Sequence, residues 1–414
     1  MALSGFRDFY PDDCAFRNAI FAKWRDVAHR YGFVEYDGPP LEPLDLFTKK
    51  SGQEIVGQLY NFKDKGDRDV ALRPEMTPTL ARLVTARHKD FKKPLKWFSI
   101  PQVYRYERPQ KGRGREHYQF NCDIIGEPGL EADIELIALL IDTLRAFGLT
   151  EKDFVIRLSD RQFWSDFMDE QAIAEDQRYA FIQAIDKSER EPKEVTAQKL
   201  GPAADEVFAV LADPTVRKSE RLDIVEAGLR ARGLGDYVKR DYTVVRGLAY
   251  YTGVVFEAFD RTGEFRAIAG GGRYDTLLKN LGNVDLPALG FGMGDMVLGD
   301  LLRTHKAWHN WDDQMYRLDV FLAIADENAR TAAMSIVQAL RDGKKRVDYS
   351  MKEMKLGKQF ETDGARDAEY ICIVGAETLQ GKVQLKRNDS RESKDVSIEQ
   401  ILENLDSLKW SKPS

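Results

Sequence analysis

YRYERPQKGRGREHYQFNCDIIG, Tyr104 to Gly126, sets a basic, glycine-containing loop between two segments of strand character. The entering segment, Lys96 to Tyr106, is rich in aromatic and β-branched residues. The leaving segment, His117 to Ile125, alternates so that Gln119, Asn121 and Asp123 share one strand face. Arg108, Lys111, Arg113 and Arg115 cluster on the loop, with Glu107 and Glu116 beside them. Such a hairpin can grip a polyanion at its loop while the strand face below holds a small polar ligand. A basic cluster taken alone is more often a solvated loop, so the rest of the chain has to decide.

The 414 residues predict two or three domains with a substantial core. A composition of 43% hydrophobic and 31% charged residues excludes wholesale disorder. The net charge of −6 gives no global electrostatic footprint for nucleic acid, so any RNA contact has to come from local basic patches. Cys14, Cys122 and Cys372 lie far apart and form no CxxC pair, which argues against a structural zinc or a disulfide framework and suits a reducing cytoplasm. The start, MALSGFRDFYPDD, has no apolar signal core. No window approaches the ~20 apolar residues of a membrane span.

Phe16, Ile20, Trp24, Val27 and Tyr31 follow helical spacing. They predict a helix over 14–31, capped by Asp12 or Asp13 and ended by Gly32. A strand at Phe33 to Tyr36 runs into Pro39 and Pro40. Leu72 to Leu83 reads as a strand end turning into a helix, and Leu130 to Phe147 as an apolar helix. Strand patterning returns at Tyr242 to Leu248 and at Gly253 to Phe259, followed by AGGGRYD from Ala269. A helix follows Gly294 and ends near Arg303. From Arg317 the order is β-α-β-α-β, with strands at Leu318 to Ala325 and Glu369 to Val374 and a helix at Asn328 to Arg341. This predicts a doubly wound sheet. The expected organisation is a core in two parts, 1–158 and 240–303, interrupted by a charged helical insertion at 159–239. A linker at 304–316 and a C-terminal α/β domain at 317–414 complete it.

The order YRxERPQKGRxRE…Q…D resembles the second signature motif of class II aminoacyl-tRNA synthetases, in the form typical of the histidyl-tRNA synthetase family. The helix–strand unit ending at Pro39, with Glu42 three residues later, resembles the first motif, which in that family builds the dimer interface. The string VRGLAYYTG, Val245 to Gly253, resembles the histidine-specific signature RGLxYYxG. KLGKQF at Lys355 and YICIVG at Tyr370 resemble the class IIa anticodon-binding domain. The resemblance covers nearly the whole chain. It implies an α+β catalytic core, an antiparallel sheet flanked by helices, with a helical insertion and a C-terminal α/β anticodon-binding domain.

The chemistry it implies is activation of L-histidine by ATP, then transfer to the 3′ end of tRNA(His). Mg²⁺ would bridge the ATP phosphates, and the protein would work as a cytoplasmic homodimer with no membrane association. A strand-end arginine is by itself more often a surface ion pair. The resemblance makes Arg105 the contact for the α-phosphate and the histidine carboxylate, a task suited to a planar fork of donors. Arg246 is the second cation at that phosphate, where charge grows in the transition state. Glu75 and Thr77, in RPEMT, match the EGT motif for the α-ammonium, with Met76 in place of a small residue. Gln119 and Asp123 line the histidine pocket, Asp123 being one methylene shorter than the family's usual glutamate. Tyr250 and Tyr251 shape the imidazole site. Gly270, Gly271 and Gly272 form the pocket floor, because glycine lets backbone approach a ligand. On the ATP side, Arg115 matches the loop arginine for the γ-phosphate and Glu107 the residue near the adenine amino group. His117 stands where a phenylalanine usually stacks on adenine.

Two positions depart from the family. ALGFGMGDMVL, Ala288 to Leu298, matches GFxxGxxR except that Val297 holds the arginine position. Ala249 replaces an acidic residue often found inside RGLDYY. One reading is a catalytically inactive paralogue, similar to the regulatory subunit of ATP phosphoribosyltransferase. The other is an active branch in which different groups cover adenine, since some organelle-type members carry GFGFGD with no arginine there. The complete histidine pocket, the retained Arg105, Arg115 and Arg246, and the C-terminal domain favour the active enzyme.

Overall fold

A computed structural model describes residues 2–48, 57–110, 112–246, 250–305, 317–405 and 408. The chain divides into two compact units, Met1–Asn310 and Trp311–Ser414.

The first unit is organised on a sheet of nine described strands. These are β1 (Val34–Glu35), β5 (Leu95–Ser99), β6 (Gln102–Tyr104), β7 (Glu116–Ile125), β8 (Phe154–Asp160), β9 (Val238–Arg240), β10 (Val254–Asp260), β11 (Ala269–Arg273) and β12 (Ala288–Gly294). Their order is β1-β5-β7-β12-β11-β10-β8-β9, with β6 pairing to the outer half of β7. The run from β5 to β8 is antiparallel, and the short end strands β1 and β9 join it parallel. A separate three-stranded sheet holds β2 (Leu41–Pro43), β3 (Tyr60–Lys63) and β4 (Asp69–Leu72).

The sheet interior follows from strand composition. On β7 the residues Phe120, Cys122 and Ile124 point to one face and are essentially fully buried. Helices cover that face. In α1 (Pro11–Arg30) Trp24 stacks on Phe120, ring centroids 5.3 Å apart. Helix α3 (Leu130–Arg145) is apolar almost all round and buried along its length, as a helix sandwiched inside a core should be. The opposite face carries the polar residues Gln119, Asn121 and Asp123, facing helix α2 (Thr77–Arg87) and Val244, Tyr250 and Tyr251.

Several expectations need correction. Helix α1 begins at Pro11, with Tyr10 as its N-cap; Asp12 and Asp13 lie in its first turn, where carboxylates meet the helix dipole. The entering segment is two strands, β5 and β6, separated at Ile100-Pro101 because proline cannot donate to the ladder. Residues 242–246 form no strand, and Gly247 and Leu248, the rest of that expected strand, lie outside the described residues. The glycine cluster is the middle of β11.

Between β8 and β9 run five helices, α4 (Arg161–Glu170), α5 (Glu175–Lys187), α6 (Lys193–Leu200), α7 (Ala204–Ala212) and α8 (Glu220–Ala231). Helix α8 packs closely on α3: a Cβ on Gly228 would run into the Ile134 side chain. Helix α9 (Asp295–Thr304) follows β12 directly. Of the expected linker, Thr304 ends this helix, and 306–316 lie outside the described residues.

The second unit has a five-stranded sheet ordered β14-β13-β15-β16-β17, formed by β13 (Val320–Ile324), β14 (Val347–Tyr349), β15 (Tyr370–Val374), β16 (Lys382–Arg387) and β17 (Ser393–Ser397). The three strands β14, β13 and β15 are parallel; β16 and β17 continue antiparallel. The expected wholly β-α-β pattern therefore gives way to a mixed sheet. The polar, lysine-rich sequence of β16 and β17 carries the alternation of a strand buried on one face and hides it from an apolar-run search. Val320, Leu322 and Ile324 pack on one face of the sheet, Phe321 and Ala323 on the other.

Candidate active site

The polar face of the large sheet is a trough whose shape comes from register. Gln119 and Asp123 on β7 stand opposite Gly294 and Gly290 on β12. Gly290 and Gly292 in turn pair with Gly272 and Gly270 on β11, and Gly270 and Gly272 with Glu257 and Val255 on β10. Cross-strand partners share a face, so two central strands show only glycine backbone between the β7 and β10 walls. Three strand spacings separate those walls, about 14 Å. The glycines are required for close approach. A Cβ on Gly290 would collide with the Asp123 carboxylate, one on Gly292 would lie 2.6 Å from the Gln119 amide, and one on Gly270 would collide with the Arg246 guanidinium. Gly271 belongs to the other face, where a Cβ would meet Phe291; it is not part of the floor. The alternate glycines of GFGMG on β12 were missed as floor residues, although their period of two was readable.

The residues expected to hold histidine converge above this floor. Glu75 and Thr77 lie at the N-terminus of α2, Glu75 buried and Thr77 half-buried. The Tyr250 hydroxyl donates to Glu75 Oε2 at 3.1 Å. The other carboxylate oxygen, Oε1, is buried without a hydrogen-bond partner among the described residues. Burial pushes the Glu75 pKa up, against the pull of Arg105, the Tyr250 hydroxyl and Arg246. Arg105, one residue past β6, donates through Nε to the Pro74 carbonyl at 3.0 Å, and burial lowers its pKa against the pull of Glu75.

Arg246 has φ of +55°, the left-handed region that non-glycine residues rarely adopt. Its Nη1 is paired with Glu257 and its guanidinium lies 5.9 Å from the Tyr251 ring centroid. Its Nε is buried without a hydrogen-bond partner among the described residues. Strain held by surrounding structure is a mark of functional positions. Asp123 accepts a hydrogen bond from the Tyr274 hydroxyl, a partner the sequence reading did not single out. Burial pushes the Asp123 carboxyl up to about 7. Tyr250 stands edge-on to Tyr274, ring centroids 5.7 Å apart. Ala249 lies outside the described residues, with Gly247 and Leu248.

The expected ATP side lies at the outer end of β7. Burial together with repulsion from Arg105, Arg7 and Arg113 drives His117 down to about 3, so its imidazole is neutral at working pH. A neutral ring suits stacking. The structure turns the loop groups onto one another. The Glu107 carboxylate is engaged by Arg113. Arg115 lies over the Tyr106 ring at 4.4 Å and donates to the carbonyls of Glu107 and Ser4 at 3.1 and 3.4 Å. Val297, in the first turn of α9, faces the loop: a Cβ on Gly112 would stand 3.3 Å from Val297 Cγ2. Lys111 lies outside the described residues.

An antiparallel sheet flanked by helices, carrying an acidic and arginine-lined trough beside a basic hairpin loop, is the arrangement of a class II aminoacyl-tRNA synthetase core. Comparison with known proteins narrows this. The histidyl-tRNA synthetase family matches residues 5–295 and an anticodon binding domain matches 319–408. A histidine–tRNA ligase of Opitutus terrae is 45% identical over 97% of this chain and 96% of its own. The chloroplastic/mitochondrial histidine–tRNA ligase of Arabidopsis thaliana is 37% identical over 96% and 85%. The crystal structure of histidyl-tRNA synthetase from Nostoc sp. PCC 7120 shares the fold, with a TM-score of 0.80 and 22% identity, covering 98% of each chain. The chain belongs to the histidyl-tRNA synthetase family.

Proposed function

We infer that the chain is an ATP-dependent histidine–tRNA ligase. The observation that carries the assignment of roles is a pair of buried atoms without hydrogen-bond partners among the described residues: Glu75 Oε1, an acceptor, and Arg246 Nε, a donor. An unsatisfied buried polar group is costly and calls for a ligand that completes it. An amino acid with an activated carboxyl group supplies both, an ammonium for Glu75 and an anionic oxygen for Arg246.

In this reading the histidine α-ammonium sits on Glu75, Thr77 and the Tyr250 hydroxyl. The imidazole lies between Gln119, Asp123 and Tyr251, which Gly272, Gly290 and Gly292 allow to settle close to the strand backbone. Arg105 and Arg246 flank the carboxylate and the ATP α-phosphate. The carboxylate oxygen attacks the α-phosphorus, pyrophosphate departs, and the two guanidiniums stabilise the charge on the pentacoordinate phosphorus. Positioning supplies the remainder, with no covalent enzyme intermediate. Adenine stacks on neutral His117. Arg115 and Glu107 serve the phosphates and the adenine amino group once the loop unfolds from its internal pairs. Mg²⁺ enters with ATP, bridging its phosphates. The terminal ribose hydroxyl of tRNA(His) then attacks the histidyl-adenylate carbonyl and AMP leaves, with residues 319–408 binding the anticodon. We assign the working form as a homodimer in the cytoplasm. Among the described residues no helix is long and apolar enough to cross a membrane.

The test is ATP–pyrophosphate exchange on purified protein. Exchange should require histidine and fail with glycine, threonine or proline. A folded dimer that shows no exchange with histidine would overturn the ligase assignment in favour of a regulatory paralogue.

A further inference from the structure

We propose that Arg7, in the segment preceding α1, is a positioning residue for the ATP half of the site, fastening the start of α9 to the start of β7. This rests on the ligase reading above.

The Arg7 guanidinium reaches two buried carboxylates on different elements. Its Nε donates to Glu116 Oε1 at 2.7 Å and its Nη1 to Asp295 Oδ2 at 2.9 Å. Glu116 and Asp295 side chains are 1% and 4% exposed, so neither can exchange this partner for water. Glu116 Oε2 accepts both from Arg7 Nη2 at 3.3 Å and from Gln102 Nε2 at 2.8 Å, and Asp295 Oδ1 accepts from the Tyr118 backbone N–H at 2.9 Å. Without the guanidinium, two buried carboxylates would face each other uncompensated. One would have to take up a proton or α9 would have to move away. Burial and Glu116 already raise the Asp295 pKa, and Arg7 opposes them.

These two carboxylates bracket the proposed adenine site. Glu116 immediately precedes His117. Asp295 lies between Gly294, where a Cβ would stand 3.7 Å from the His117 ring, and Met296 and Val297, which close on loop glycines Gly114 and Gly112. The Arg7 bridge, together with the Tyr118 N–H to Asp295 hydrogen bond, therefore holds the width between His117 and α9. The same N-terminal segment supports the loop from below. The Arg115 N–H donates to the Gly5 carbonyl at 2.8 Å, and the Arg115 stem leaves no room for a Cβ on Gly5. With valine at 297, the rigidity of this wall is what the adenine ring has in place of a stacking arginine.

A positioning role predicts an ATP-selective defect. Equilibrium binding of ATP and of histidine should be measured separately by calorimetry, with exchange kinetics alongside, for the full-length protein, Arg7→Met and Arg7→Lys. Arg7→Met should raise the ATP Kd and the exchange KM for ATP about tenfold or more, as a displaced wall does. The histidine Kd should stay within about twofold, because Glu75 precedes α2 and Asp123 lies far along β7 from Glu116, held there by its pairing with Gly290 of β12. Lysine keeps the charge but cannot span two carboxylates as a fork, so Arg7→Lys should fall between, at nearly unchanged Tm. If Arg7→Met does not fold, Arg7→Lys alone decides by the same ATP-against-histidine ratio. Equal losses for both ligands, or a lowered Tm with neither Kd moved, would overturn the proposal. A wild-type protein that binds neither ligand would overturn the ligase reading, and this role with it.

Discussion

Arg246 separates a chemical from a structural role most cleanly. Its ion pair with Glu257 is partly exposed, at 22% and 21%, and such pairs contribute only about 0–1 kcal/mol to stability. Arg246→Ala should therefore leave Tm nearly unchanged while slowing histidine-dependent exchange ~10²–10³-fold, as loss of an oxyanion-type donor does. Exchange within a few fold of wild type in a protein that melts much earlier would make the arginine structural. Asp123 gives a pH signature. Its folded pKa of about 7 lies above the ordinary carboxylate value of 3.8. Between those values the native state holds a proton that the unfolded chain has lost, so stability falls as pH rises from about 4 to about 7 and then levels. Asp123→Asn should be the more stable protein at pH 8, with the advantage vanishing by about pH 4. Thermal melts of both proteins across that range check the sign. At Val297, arginine would have to enter the space where Gly112 closes on α9. Val297→Arg should not raise exchange activity, since a charge forced into a packed contact goes unpaired. A large gain in rate would mean that the chain is a decayed synthetase.

At the scale of elements, the site depends on two strands that present no side chains to it. In β12 the glycines at 290, 292 and 294 face the trough while Phe291 and Met293 are buried on the other side. One strand thus lines both the core and the trough by alternation. A methyl group at 290 would fall on the Asp123 carboxylate. Gly290→Ala should raise the histidine KM in exchange at least about tenfold with ATP affinity little changed, and an unaltered histidine KM would remove Gly290 from the floor. The hairpin shows the same division between reading and structure. Its leaving strand and the shared face of Gln119, Asn121 and Asp123 were plain from alternation. That Glu107, Arg113 and Arg115 fold onto one another was not, because a charge pattern fixes which residues carry sign and leaves their partners to the loop's three-dimensional path.

At the scale of the molecule, each unit has its own core. The second is built around Val320, Leu322, Ile324, Cys372 and Leu385 and closed by the helix Arg330–Asp342. Protein ending at residue 310 should therefore keep histidine-dependent exchange within a few fold and lose most tRNA charging. Equal charging by truncated and full-length protein would remove the anticodon-binding role from residues 319–408.

The sequence by itself determined the family, the antiparallel core, and the identity of nearly every polar residue now found around the trough. These are carried by local order: a motif read along the chain, and a period of two that assigns faces. Only the tertiary structure decided which two of three consecutive glycines face the trough. It also decided that Tyr274 meets Asp123, and that Arg7 reaches Glu116 and Asp295 across 109 and 288 residues. Those contacts join elements far apart in the chain. Pairing at that separation is set by sheet register and helix packing, which no local pattern encodes.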